Sequence, residues 1–202
     1  RLNAGALPVP ISLIGQQSIG ASLGEESLDR SLTAGMYGFL AVVIFMLLWY
    51  RVPGLMAVCA LLLYIAIVLF IFKLIPVTLT VAGIAGLILS VGMAVDANIL
   101  IFERMKEELR QGKGLEDAIR EGFARAWTSI RDSNMSSLIT TSILYWFGVS
   151  MVRGFALTLT IGIVVSMFSA ISVTRTLLFA MHTAGMKNRK SLFLSGIARM
   201  KL

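Results

Sequence analysis

The sequence predicts an all-α membrane protein, a bundle of five transmembrane helices with one amphipathic interfacial helix on its cytoplasmic side. Composition is the first ground. Hydrophobic residues make up 57 % of the 202 and charged residues 14 %, with mean hydropathy +0.85, where a soluble domain carries about 25 % charged residues. The second ground is five apolar stretches, each close to the length a bilayer core requires. The third is one link between them whose apolar residues recur at helical spacing.

Residues 1–24 alternate short apolar runs with Pro8, Pro10, Gly15, Gly20 and Gly24, a strand-and-turn pattern too short for a domain of its own. No basic segment followed by an apolar core opens the chain, so no signal peptide is expected, and the chain reads as a piece of a longer protein. Ser22 with Glu25 forms a candidate capping box, and Glu25, Glu26 and Asp29 suit a helix N-terminus. The expected division is 1–30 as an extramembrane segment and the approach to a span, 31–185 as the transmembrane bundle, and 186–202 as a basic cytoplasmic tail.

Spans are expected at about 32–49, 55–72, 81–102, 135–147 with extensions to either side, and 155–179. Tyr50-Arg51-Val52-Pro53-Gly54 is a tight turn that makes the first two spans antiparallel neighbours. The next link, from Lys73 to Thr80, is also short. The longest, from Glu103 to Ser133, prolongs the third span until Gly112-Lys113-Gly114 stops it. Leu115, Ile119, Phe123, Trp127 and Ile130 then form one stripe opposite charged residues, an amphipathic helix that either lies in the interface or covers the end of the bundle.

The basic residues set the orientation. Of 18 Lys and Arg, 13 fall in the Arg51 turn, the 103–134 link and the 186–202 tail, which five spans place on one side. That side is the cytoplasm, which leaves the N-terminal segment outside. The net charge of +7 is therefore read as a membrane signal and not as nucleic-acid binding. Cys59 is the single cysteine and sits in an apolar run, so no intrachain disulfide is expected. His182 is the single histidine and lies in the basic tail region. Neither a metal site nor a Ser–His dyad has its residues within the spans, and no Gly-rich phosphate loop is present. No cofactor and no enzymatic activity are expected.

Asp96 is the residue of functional interest. It sits about fifteen residues, or roughly 22 Å of helix, into the third span. An Asp near a helix centre costs about 2.5–3.5 kcal/mol on insertion scales, and such acids mark ion or proton pathways. A carboxylate whose surroundings alternate can take up and release a proton. The competing reading is a structural acid bonded to neighbouring hydroxyls or an Arg. On a helical wheel Ala85, Leu89, Gly92 and Glu103 cluster near Asp96, while Gly83, Gly86, Ser90, Ala94 and Ala97 form a second small strip. Two such strips predict a helix packed on both faces. Asn98 points away from Asp96 and is expected to bond a neighbouring helix.

The fourth span supplies a polar lining of Asp132, Ser133, Asn134, Ser136, Ser137, Thr140, Thr141 and Ser142. Asp132, Ser136 and Thr140 share one face, which suits a hydrated cytoplasmic path, although such hydroxyls also bond their own i−4 carbonyls. The supporting residues expected around Asp96 are thus Asn98, Asp132, Asn134, Ser136 and Thr140. In the last span Thr158, Gly162, Ser166, Ser169, Val173 and Thr176 make a small or polar strip read as helix packing. Lys187-Asn188-Arg189-Lys190 in the tail suits positive-inside charge and anionic lipid.

Gly92-Met-Ala-Val-Asp96-Ala-Asn98-Ile-Leu-Ile-Phe-Glu103-Arg104 closely resembles the signature of the SecD/SecF family of the bacterial Sec protein-export machinery, in the resistance-nodulation-division superfamily. The resemblance covers nearly the whole chain. Ala4 to Pro10 looks like the last strand of a first periplasmic domain, and Ser18 to Gly24 like the approach to the second span, with Ala21 where Pro is frequent. Gly122-Phe-Ala-Arg125-Ala, Asp132-Ser-Asn134-Met-Ser-Ser137-Leu and Val152-Arg153-Gly154-Phe155-Ala follow in order. Ser133 replaces a frequent Ala, and Gly148-Val-Ser-Met151 departs from the usual Gly-Thr-Gly-Pro. Val95-Asp96-Ala97-Asn98 resembles the SecD branch, since SecF usually carries an Asn-Asp pair there.

The resemblance implies spans two to six of a six-span half-transporter that pairs with SecF in the inner membrane. It implies a proton role for the residue at Asp96, with proton-motive force coupled to export of unfolded preprotein from the SecYEG channel and its accessory subunits. Two rival readings are a docking module for partner membrane subunits and half of a drug or lipid exporter. An intramembrane protease lacks a paired Asp or Ser–His set within the spans.

Overall fold

A computed structural model describes residues 21–183 apart from 76 and 78, and among these every regular element is helical. The expectations for residues 1–20 and for the 186–202 tail lie outside the described residues. Helix α1 runs Ala21–Leu74, α2 Val81–Arg110, α3 Leu115–Phe147, α4 Ser150–Phe168 and α5 Thr174–Thr183, with a π turn at Ser169–Val173 joining the last two.

Helix α1 begins at Ala21, so Ser22 lies inside it and is not its cap. Its 54 residues do not form one rod. Arg51 has φ 52° and ψ −113°, the left-handed region that a side chain disfavours. A Cβ on Gly54 would overlap the Met46 carbonyl oxygen. Residues eight apart in a continuous helix are about 12 Å apart along its axis. The chain therefore folds back at Arg51, as the Tyr50 to Gly54 segment predicts. Pro53 falls in the first turn of the second limb, where its missing N–H costs nothing.

Helix α2 starts cleanly because Thr80 caps it, its Oγ1 accepting from the Gly83 amide at 3.1 Å. Its small strip Gly83, Gly86, Ser90, Ala94 and Ala97 is buried, largely against α4. Thr158 Oγ1 donates to the Gly83 carbonyl at 2.9 Å, and the Gly162 backbone lies directly against the Ser90 side chain. Tyr64 of α1 closes this contact, its hydroxyl 2.7 Å from Ser90 Oγ. Only residues without bulk permit such spacing.

The second strip behaves otherwise. Ala85, Leu89, Gly92 and Asp96 are all exposed, so α2 is packed on one face and open on the other. The expectation of close packing on both faces is corrected accordingly: among the described residues this strip stays exposed, with α3 only flanking it beside Asp96.

The amphipathic segment and the fourth span also differ from expectation, since they are one unbroken helix, α3, and the true link is only Gln111 to Gly114. No Gly or Pro interrupts 123–147, so nothing in the sequence stops the helix there. Leu115, Ile119, Phe123 and Ile130 of the predicted stripe are buried, with Ala118, Gly122 and Ala126 beside them, while Trp127 is half exposed. The stripe covers the end of α2: a Cβ on Gly122 would stand 2.8 Å from the Met105 backbone nitrogen. By length and composition Glu26–Leu74, Val81–Arg110 and Ser150–Met181 are long and apolar enough to cross a membrane. The polar residues of α3 keep it out of that set.

The last predicted span is interrupted. Thr158, Gly162, Ser166 and Ser169 are buried, but the strip then moves to Ala170, Thr174 and Leu178, leaving Thr176 exposed. The π turn is the reason, because its extra residue advances the register by one position.

Candidate functional site

Asp96 lies near the middle of α2 and opens onto a cavity of about 280 Å³ between α2 and α3. Met93, Ala97 and Leu100 line it from α2, and Ile130, Ser133, Asn134 and Ser137 from α3. The Asp96 carboxylate has no hydrogen bond or ion pair among the described residues. The nearest cations along its own helix are Arg104 and Lys106, and both are already engaged. Arg104 pairs with Glu107 at 2.9 Å and Lys106 with Glu103 at 2.9 Å.

The groove is polar, but its donors are largely committed. Ser133 Oγ donates to the Ile130 carbonyl at 3.1 Å, Ser137 Oγ to the Ser133 carbonyl at 3.1 Å, and Asn134 Nδ2 to the Ile130 carbonyl at 2.8 Å. With their protons so committed, the two serine hydroxyls that line the cavity keep lone pairs with which to accept. A protonated carboxyl can donate to such oxygens. An ionised one needs donors, which a hydroxyl rotation, water or a neighbouring chain must bring.

The predicted supporting residues divide into three groups. Asn134 joins the Asp96 groove and is 6 % exposed. Asn98 is buried on the far side of α2, donating from Nδ2 to the Ala94 carbonyl at 3.1 Å and accepting from Thr174 Oγ1 at 2.7 Å. Asp132, Ser136 and Thr140 are exposed and line none of the Asp96 groove. Asp132 accepts from Arg131 Nε at 2.9 Å, and Thr140 Oγ1 donates to the Ser136 carbonyl at 3.0 Å. The face of α3 that turns to Asp96 is thus Ser133, Asn134 and Ser137. Ser133 and Ser137 belong to the polar lining the sequence predicts but not to its supporting set, since the face of α3 turned to α2 is centred on the buried Asn134 and not on the exposed Asp132.

A second polar cluster went unforeseen at the charged end of α2. Tyr50 at the α1 turn donates its hydroxyl to Glu103 Oε1 at 2.9 Å, and Lys106 Nζ donates to the same oxygen at 2.9 Å. The Lys106 ammonium also sits 4.0 Å from the centre of the Tyr50 ring, and its side chain is 1 % exposed. One turn further, the buried carboxylate of Glu108 binds Arg125 of α3, and Lys113 at 2.5 Å. Lys113 also pairs with Glu121. Hydrogen bonds to Glu108 and then Glu121 hold the Lys113 ammonium above the usual lysine range, and Glu108 does the same for Arg125. These ties fix the α1 turn, the end of α2 and the start of α3 to one another. The sequence signal for them was only a charged run beside a tight turn.

Comparison with known proteins places this arrangement. The family described as protein export membrane protein SecD/SecF, C-terminal, matches residues 6–184. The protein translocase subunit SecD of Thermobaculum terrenum is 54 % identical over all of this chain and 40 % of its own length. That of Synechocystis is 51 % identical over 88 % of this chain and 38 % of its own. The chain thus spans about two fifths of the curated relatives it matches. A crystal structure of SecDF from Thermus thermophilus, described as a translocon-associated membrane protein, is similar with TM-score 0.81 and 40 % identity, over 83 % of this chain and 24 % of that one. A SecDF structure in a super-membrane-facing form gives TM-score 0.78 at 40 % identity, over 90 % of this chain and 25 % of that one. On a family match that runs through every helix described above, the chain belongs to the SecD/SecF family of protein export membrane proteins.

Proposed function

We propose that this chain is the carboxy-terminal membrane part of a SecD-type translocase subunit and that Asp96 exchanges the proton that couples proton-motive force to preprotein export. The observation that carries the reading is an exposed carboxylate on the one open face of an otherwise apolar and tightly packed helix. A bare acid facing lipid costs about 2.5–3.5 kcal/mol. The Ala85, Leu89, Gly92 and Asp96 face therefore demands a protein cover, and in this reading the cover is SecF.

In this reading the two limbs of α1, then α2, the later half of α3, and α4 with its π turn and α5 are five spans. The segment before α1 is periplasmic and the 186–202 tail cytoplasmic, in the inner membrane. The early half of α3 caps the cytoplasmic end of α2. Ser133, Asn134 and Ser137 relay hydrogen bonds to Asp96 as its protonation changes, and the partner presents the donor that the ionised form lacks. The SecYEG channel and the unfolded preprotein engage parts of the subunit beyond this bundle. A ligand can bias a two-state equilibrium only by its differential affinity for the states, and a proton obeys the same limit.

Asp96→Asn in the full-length protein tests this. Loss of the proton-dependent component of preprotein export, with SecF still co-purifying, is the expected result. Export that keeps its full response to proton-motive force would overturn proton coupling. Loss of SecF binding would instead favour the docking-module reading, in which Asp96 is a polar anchor.

A further inference from the structure

We infer that a groove between α3 and α5 is a binding site for one anionic phospholipid of the cytoplasmic leaflet. The groove holds about 340 Å³. Its floor is apolar, with Ile101 of α2, Phe123 and Ile130 of α3 all buried. Its rim is cationic and aromatic: Arg120 and Trp127 from α3 and Arg175 from α5. A second, more open depression continues past Arg175 along Ser172, Thr176 and Phe179, so the guanidinium stands between two hollows.

The charges are available. Arg175 has no acidic partner among the described residues and lies 5.8 Å over the Phe179 ring, which steers the guanidinium without neutralising it. Among the described residues Arg120 meets Glu116 alone, at 3.5 Å with both side chains exposed, a surface pair that holds little. The depth is right as well. Ile101 lies two residues before the charged belt that begins at Glu103, and Trp127 lies one turn before the Arg131–Asp132 pair. An indole at that level is where the headgroup boundary favours it. Two planar cations above an apolar floor match a phosphate diester above acyl chains. Residues 186–202 carry five basic residues and no acid, the wrong sign to occupy the groove. The inference rests on the membrane placement proposed above and is independent of proton transfer at Asp96.

The test is native mass spectrometry of the full-length protein in detergent, titrated with phosphatidylglycerol or phosphatidylcholine. The expected result is a retained phosphatidylglycerol adduct that phosphatidylcholine does not match. Its occupancy should fall roughly fivefold for each of Arg120→Gln and Arg175→Gln. Ala124→Trp, on a groove-lining residue, fills the space without changing charge and should abolish the adduct. Replacing Lys187, Arg189 and Lys190 with Gln should leave it intact. Circular dichroism confirms that each variant is folded. Equal retention of the two lipids, survival of the adduct in Ala124→Trp, or its displacement by millimolar inorganic phosphate would each overturn the proposal.

Discussion

Thr174, the first residue after the π turn, donates its hydroxyl to Asn98 Oδ1 across 2.7 Å, and both side chains are buried. Asn98 stands two residues from Asp96 on the opposite face of α2. The bond therefore ties α5, just past the π turn, to the helix that carries the acid. Ser169, at the other end of the π turn, donates to the Ala60 carbonyl at 3.0 Å. The π turn is held at both ends by side-chain bonds to different helices, one of them next to the site.

The α2–α4 contact predicts the first stability effect. Gly162→Ala places a methyl against the Ser90 side chain and 3.0 Å from the Tyr64 hydroxyl, both buried. Overpacking of this kind costs about 1–3 kcal/mol. Unfolding of the detergent-solubilised full-length protein should show that loss, and Ser90→Gly in the same background should recover part of it. An alanine variant as stable as the parent would mean the two helices are looser than described.

The Arg51 turn was legible because Pro53-Gly54 interrupts an apolar run, and the small strip of α2 was legible because its period matches a helix. The continuity of α3 was not, since a change from amphipathic to uniformly polar-apolar composition marks a change of environment and not a break in the backbone. The π turn left no signal: Ser169-Ala-Ile-Ser-Val173 contains neither Gly nor Pro, and its extra residue is selected by the bonds to Ala60 and Asn98, which are tertiary. For the site, Asp96 was visible from its cost in an apolar helix. Its true neighbours were not, because which face of α3 meets α2 is decided by tertiary contacts such as that of Gly122 with Met105, about half the length of α3 away from Thr140.

The α2–α3 link gives a pH dependence. Lys113 is held above the usual lysine range by Glu108 and Glu121, so its folded-state value exceeds the unfolded one. Its contribution is then fully present below the unfolded value, about 10.4, and is lost as pH rises through the folded value. Lys113→Met should therefore be less stable than the parent at pH 8, with the gap closing above about pH 10.4. Thermal unfolding of the two proteins across that range reads the gap. A gap that widens with pH would contradict the assignment.

Deleting Ser172, an exposed residue of the π turn, tests whether the extra residue sets the register of α5. Without it the segment becomes regular α-helix, and everything after it turns by about 100° relative to α4. Thr174 then loses Asn98, leaving a buried acceptor unpaired at about 1–3 kcal/mol. Leu178, now fully buried, leaves the core at a further cost of about 2–5 kcal/mol. Thr174→Val removes only the hydrogen bond and should show the first of these losses alone. Geometry supplies a readout separate from stability. With Cys59 replaced by Ser, the pair Asn98→Cys and Thr174→Cys should form a disulfide under mild oxidation, since the native side chains already meet. The same pair in the Ser172 deletion should not cross-link, because the two positions no longer face each other. Cross-linking that persists at the parental rate would show that α5 keeps its register by another means, and that the π turn is a local irregularity without influence on Asn98.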